Sequence, residues 1–225
     1  MGDADKGTTD ALTGDETTAR LTTDGLSDWR PVLGRLVSRF ASGDFVTGLA
    51  FVTQVTDAAE TADHHPDLDL RYPHVDLTLM SHDVGGITER DLRLAREISQ
   101  IAASMNVAAD PAARTLLEIT IDTWDAEEIG PFWAAVLGGE FSDGEAVDPA
   151  GAVPSLWFQD TDRHDEPRQR FHLDVWVPVD VAEARVAAAL AAGGTLVSDE
   201  QAPSFVVVAD AQGNRACLCT SASRG

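Results

Sequence analysis

Between Asp44 and Asp63 the apolar residues Phe45, Leu49, Val52, Val55 and Ala59 return every three to four positions, which predicts an amphipathic helix capped by Ser42 or Asp44. The helix must stop near His64, because a residue before proline is driven out of the helical region and His65 precedes Pro66. Residues 74–82 alternate instead. Val75, Leu77 and Leu79 fall on one side and His74, Asp76, Thr78, Met80 and His82 on the other, the pattern of a half-buried strand. Gly85 and Gly86 then turn the chain into a second helix from Thr88, with an inner face through Leu94 or Ala95, Ile98, Ala102 and Met105. Ahead of these, Thr13 and Glu16 have the spacing of a capping box for a short helix that Gly25 ends, and residues 29–40 read as a strand pair around Gly34.

After residue 106 the periodicity lapses into a small, polar, proline-containing stretch and then restarts. The predicted organisation is a flexible tail at 1–10, a first domain at 11–106, a linker at 107–114 and a second domain at 115–225. In the second domain a strand at 116–121, a helix at 126–137, a Gly- and Asp-rich loop and a strand at 155–159 are followed by a strand at 171–177, a helix at 181–192 and strands at 195–198, 205–209 and 215–219. That order repeats itself as paired βαβββ-like units. The expected fold class is α+β, with an N-terminal antiparallel sheet carrying helices on one face and a C-terminal pair of βαβββ units.

Composition narrows the partners. No apolar run approaches the roughly 20 residues needed to cross a bilayer, and residues 1–10 lack the basic and apolar stretches of an export signal, so a cytoplasmic protein with no membrane partner is expected. Two cysteines, Cys217 and Cys219, cannot build a disulfide framework. The net charge of −22 has no basic patch set against it, which speaks against nucleic acid as a ligand.

The chemistry concentrates in six residues at fixed spacing: Glu60, His64, His65, Tyr72, His82 and Asp91. Imidazole titrates near neutrality and serves equally as proton donor or acceptor, so three histidines around a helix end and a strand end suit general acid/base catalysis. Asp91, three residues after Thr88, is either a capping carboxylate or an orienting partner for an imidazole. His74 shares a strand face with His82 but stands eight residues away, roughly 27 Å, and is left out of the site. Three imidazoles with a carboxylate are also an acceptable metal set.

The segments ETADHHPDLDLRY, VDLTLMSHD and GGITERDLRLA, with Asp28-Trp29-Arg30 ahead of them, resemble the pterin-4a-carbinolamine dehydratase family. The resemblance covers Gly43 to Met105 and explains the histidines without a metal or any cofactor. It implies removal of water from a 4a-hydroxytetrahydropterin substrate, giving the quinonoid dihydropterin for reuse in tetrahydrobiopterin metabolism. His64 and His82 would be acid and base, with His65 and Glu60 positioning the pterin and Tyr72 and Asp91 orienting. Asp67-Leu68 stand where vertebrate members carry aromatic residues. The resemblance also implies a homo-oligomer, a dimer or tetramer, and leaves a rival role as a non-catalytic interaction or dimerisation module.

The segments ITIDTWDAEEIGPFWAAVLGGE, FHLDVWV and VVVADAQGNRACLC resemble a glyoxalase-like domain of the vicinal oxygen chelate superfamily. Metal-dependent members would place ligands near Glu118, Gln159, His172 and Cys217, a set depleted of the usual His and Glu, so a metal-free small-molecule domain is expected. Those positions keep a metal-dependent lyase or dioxygenase as a further alternative. Trp124, Phe132, Trp133, Trp157 and Trp176 are available to line its cup.

Overall fold

The computed structural model describes residues 10–137, 140–148, 151, 154–162, 171–191, 194–209 and 215–223. Most of the predicted tail, 1–9, and the side chains of Phe132 and Trp133 lie outside the described residues. The chain divides into two compact units, the first built mainly on residues up to Arg114 and the second on Thr115–Val177 and Val181–Thr220.

In the first unit helix α1 (Gly14–Thr23) starts from the expected capping box: Thr13 Oγ1 accepts from Glu16 N–H and Glu16 Oε2 from Thr13 N–H. Strands β1 (Arg30–Val32) and β2 (Arg35–Ala41) form the expected pair, helix α2 spans Phe45–Ala62, and β3 (Asp67–Arg71) and β4 (His74–Leu79) make a hairpin before α3 (Glu89–Ser104). The antiparallel sheet runs β1-β2-β4-β3, with a two-residue strand β5 (Ala108–Ala109) against β2. Residues 107–114, read from composition as a linker, therefore carry β5 and a 3₁₀ turn (Pro111–Ala113), with Asp110 N–H bonded to Arg39 O. Small residues suit a close strand contact as well as a linker.

The core differs from the apolar pattern on α2. Its buried stripe is Gly48, Phe51, Val55 and Ala59, while Phe45 and Leu49 are about half exposed. The helix is apolar on two faces, and the face chosen is the one whose glycine admits the sheet: a Cβ on Gly48 would meet Leu70 Cδ1 at 2.8 Å and Ser42 Oγ at 3.1 Å. Phe51 packs at a tilt against Phe40, which packs against Trp29, and the Trp29 indole N–H donates to Ala95 O and Ser99 Oγ on α3. Val75, Leu77 and Leu79 complete this core from β4, as their alternation requires.

On the opposite face of β4 sits a charge that the alternation left unexplained. Asp76 is almost fully buried, and its carboxylate accepts from Arg39 Nε and Nη2 and from Arg114 Nη1, each at 2.7 Å. Burial alone would raise this carboxyl, but Arg39 and Arg114, with His74 adding, together hold it below the ordinary carboxylate value. A depressed acid contributes stability above its unfolded value, near pH 4, and loses it as pH falls through its folded value. Asp76→Ala is therefore expected to cost about 2–4 kcal/mol at pH 7, below the full figure for a broken buried pair because Arg39 keeps access to water. Urea denaturation of both proteins checks this, and the gap should narrow at pH 3. An unchanged gap there would refute the assignment.

The second unit is two successive βαβββ halves: β6 (Leu116–Thr123), α4 (Ala126–Leu137), β7 (Glu140–Ser142), β8 (Glu145–Val147) and β9 (Leu156–Asp160), then β10 (Phe171–Trp176), α5 (Val179–Ala191), β11 (Thr195–Ser198), β12 (Phe205–Ala209) and β13 (Arg215–Cys219). Strands β7 and β8 occupy the stretch expected to be loop. The mixed sheet runs β11-β12-β13-β10-β6-β9-β8-β7, joined at its centre by the antiparallel pair β6–β10. The α+β class and the paired halves are those the periodicity predicts.

Candidate active site

His64 owes its position to the end of α2. Asp63 adopts the left-handed conformation (φ 47°) and closes the helix, and His64 N–H bonds back to Ala59 O. The side chain is thereby turned inward and buried, with Nε2 2.7 Å from Asp91 Oδ1. Asp91 is fully buried at the start of α3. Its Oδ2 accepts from Thr88 N–H at 2.7 Å, Ser81 Oγ at 2.8 Å and Thr88 Oγ1 at 3.2 Å. Asp91 is thus both the capping carboxylate and the imidazole's partner, one oxygen for each task. A carboxylate that only accepts requires His64 Nε2 to carry the hydrogen, which leaves Nδ1 as the lone-pair nitrogen of the neutral ring.

The other predicted residues distribute around this pair. His65 is exposed and its Nε2 lies 3.1 Å from Glu60 Oε1. His82 is exposed in the turn after β4, next to Asp83, whose carboxyl is held below its ordinary value chiefly by a hydrogen bond from Arg90. The β3–β4 register pairs Asp67 with Thr78, so the end of β4 that leads to His82 lies beside the start of β3 that follows His64 and His65. Tyr72 lies at the other end of the same hairpin, exposed, about five residues or roughly 17 Å along β3. The structure thus joins His64 to Asp91 and His65 to Glu60, gathers the three histidines at one hairpin end, and does not bring Tyr72 to them. His74, with Tyr72, is at the far end, beside Asp76. Ser81 and Thr88, which sequence reasoning missed as site residues, anchor Asp91; the three-residue spacing from Thr88 to Asp91 signalled one of them, and the place of Ser81 ahead of the glycine turn was the signal for the other.

A second polar cluster lies on one face of the second sheet. Paired residues on adjacent strands share a face, and the register aligns Trp157, Thr120 and His172 in one row and Glu118, Asp174 and Cys217 in the next. His172 Nε2 is 3.4 Å from Asp174 Oδ1 and Nδ1 is 3.5 Å from Asp122 Oδ1. Asp174 raises the His172 imidazole above its usual value, burial opposes it, and Asp122 adds to the rise. Trp124, of the proposed aromatic cup, is exposed, whereas Trp176 is buried and donates to Glu118 Oε2 at 3.4 Å.

Residues 10–101 match the family model described as Pterin 4 alpha carbinolamine dehydratase. A relative in Thermosynechococcus vestitus, named "Putative pterin-4-alpha-carbinolamine dehydratase", is 46% identical over 77 residues, 34% of this chain and 81% of its own length. The chain belongs to the pterin-4-alpha-carbinolamine dehydratase family. A Chloroflexus aurantiacus relative of the same name is 46% identical over 74 residues, 33% of this chain and 80% of its own. A solved structure titled "Crystal structure of transcriptional coactivator/pterin dehydratase from Brucella Melitensis" matches 41% of this chain and 99% of its own at 35% identity, with a TM-score of 0.39.

This family member carries more than the dehydratase unit, since residues 118–219 match a model described as Glyoxalase-like domain. Among the ligand positions that its resemblance implies, Glu118 on the first strand accepts from Trp176 Nε1 through Oε2 at 3.4 Å. Asp174, unrecognised in the sequence, stands with two of the implied positions: the ligand atoms of His172, Asp174 and Cys217 all lie within 4.8 Å of one another. The signal for it was the His-x-Asp spacing, which puts both side chains on one strand face. Nitrogen, oxygen and sulfur donors together suit a divalent transition metal.

Proposed function

We propose that the first unit dehydrates 4a-hydroxytetrahydropterins by histidine acid/base catalysis. The observation that carries this reading is the buried His64 Nε2 to Asp91 Oδ1 contact, which sets the tautomer of one imidazole beside a hairpin end bearing two more. In the reaction, Nδ1 of His64 removes the proton from the ring nitrogen next to the carbinol carbon. The electron pair forms the carbon–nitrogen double bond as the carbon–oxygen bond breaks. His82 protonates the departing hydroxide, so that water leaves and the quinonoid dihydropterin remains. His65, paired with Glu60 at the mouth of the site, positions the pterin ring. No step requires a metal.

The second unit, on this reading, binds a small molecule on the polar face of its sheet and takes no part in the dehydration. The test is to generate the carbinolamine chemically and follow quinonoid product by absorbance with and without the purified chain. Formation faster than the spontaneous rate, proportional to protein, is expected. A rate equal to the spontaneous one at saturating protein removes the proposal.

A further inference from the structure

We infer that Arg90 is a positioning residue of the first unit's site, holding through Asp83 the turn that presents the His82 imidazole to substrate. The inference rests on the reading of His82 as the acid of the dehydration. Three observations carry it.

The first is that His82 does not place itself. Its imidazole is exposed and makes no hydrogen bond among the described residues, so its position is that of the turn between β4 and α3. The base of the turn is closed by the bridge of Ser81 with Gly86, whose Ser81 N–H donates to Gly86 O at 2.9 Å, and by Ser81 Oγ donating to Asp91. Residues 82–85 lie beyond this closure and are exposed. Val84 N–H reaches back to Ser81 O at 3.2 Å, and the side-chain tie on this part of the turn is Arg90 Nη2 donating to Asp83 Oδ1 at 2.5 Å.

The second is the division of labour in the first turn of α3. Asp91 fixes the His64 ring, and Arg90, the residue before it, fixes the chain neighbour of His82. Both imidazoles are thereby referred to one element, which is capped by Thr88 and Asp91 and anchored by the buried Leu92 and Leu94. A common frame matters because proton removal and proton donation act on one substrate ring, and a misplacement of about an ångström can cost about 10²-fold.

The third is that Arg90 stands where local preference does not favour it. The first turn of a helix carries the positive end of its dipole, which suits Glu89 and Asp91 and opposes a cation between them. Arg90 Nε is moreover buried with no hydrogen-bond partner among the described residues, a second cost. The ion pair offsets little of this as a stabiliser, because exposed pairs contribute weakly and the Asp83 side chain is more than half exposed. A residue that breaks local rules without a gain in stability marks a functional site. Arg90 also holds the Asp83 carboxyl below its ordinary value, chiefly by its hydrogen bond and further by its charge, with desolvation opposing, so the tie persists at neutral pH.

The experiment uses the full chain with Arg90→Gln, Asp83→Asn, the two combined, and Arg93→Gln as the control for loss of an exposed arginine from the same helix. Arg90→Gln and Asp83→Asn should each lower kcat for carbinolamine dehydration about 10–100-fold with KM within about twofold, whereas Arg93→Gln should leave both within about twofold. The double variant should be no slower than the slower single one, because both substitutions remove one tie. Arg90→Lys should recover kcat to within about threefold, since a single donor makes the bond. A merely structural arginine would move the urea midpoint and leave this kcat-against-KM split and the lysine rescue unseen. In the chain without substrate, NMR relaxation should show more motion at the His82 and Asp83 backbone amides in Arg90→Gln, with the His74 amide unchanged. Full kcat in Arg90→Gln overturns the inference, as do losses that multiply in the double variant or unchanged relaxation at His82. If the unaltered chain shows no dehydration, the acid/base reading fails, and the relaxation at His82 still decides whether Arg90 holds the turn.

Discussion

His64→Ala should lower kcat/KM for carbinolamine dehydration by about 10²–10⁴, the usual contribution of a positioned proton-transfer group. The residue is buried by the helix end that Asp63 closes, so its position does not depend on substrate, and among the described residues its hydrogen bond to Asp91 is made through Nε2, which leaves Nδ1 as the nitrogen to face substrate. His82→Ala should fall in the same range, because loss of either proton transfer leaves the elimination unbalanced. The two losses should not add in the double variant if both histidines act in one concerted step. His65→Ala should act mainly on KM, since His65 is exposed and its partner among the described residues is Glu60. His74→Ala provides the comparison. It removes an imidazole from the same hairpin at the opposite end and should leave kcat/KM within about twofold, far short of a lost acid or base. The proposal fails if His64→Ala and His74→Ala behave alike.

The contrast between His64 and His74 shows what the sequence could convey. Strand alternation put Val75, Leu77 and Leu79 inward and separated His74 from His82, and the pre-proline rule located the end of α2 to within two residues. These signals are local, and local geometry enforces them. Strand β3 was not legible because DLDLR is exposed along nearly its whole length as an edge strand, with aspartates that belong equally well to a loop. The buried face of α2 was misjudged because two faces are apolar and the choice depends on Gly48 meeting Leu70, a contact across 22 positions of chain.

Buried charge was the least legible feature. Asp76 and Asp174 look like the outward-facing acids of two half-exposed strands, and nothing nearby reveals Arg39 and Arg114, or Cys217, as their neighbours in space. Asp91 was a partial exception. The three-residue spacing from Thr88 exposed its capping role, whereas its contact with His64, 27 residues earlier, comes only from the packing of α3 against the end of α2. The question of cap or imidazole partner had no local answer because each is true of a different oxygen.

That division makes Asp91→Asn the sharpest test of the tautomer argument. Asparagine keeps the volume and one carbonyl oxygen, and the three donors gathered on the cap side, Thr88 N–H, Ser81 O–H and Thr88 O–H, will claim that oxygen. The amide NH2 must then face His64 Nε2, which can only accept. The imidazole hydrogen is forced to Nδ1, and the nitrogen offered to substrate becomes a donor instead of a base. In serine hydrolase triads the same exchange of Asp for Asn preserves geometry and lowers kcat about 10⁴-fold through the wrong tautomer. A loss of about 10²–10⁴ in kcat, with KM nearly unchanged, is expected here. Stability should fall by only about 1–2 kcal/mol, because the cap keeps its acceptor. Asp91→Ala, which strands the Thr88 and Ser81 donors and the His64 ring together, should cost about 3–5 kcal/mol. Nitrogen NMR of ring-labelled histidine decides the tautomer directly: Nε2 protonated in the unaltered neutral protein, Nδ1 protonated in Asp91→Asn. A variant with full kcat, or with the hydrogen still on Nε2, would show that Asp91 serves α3 alone.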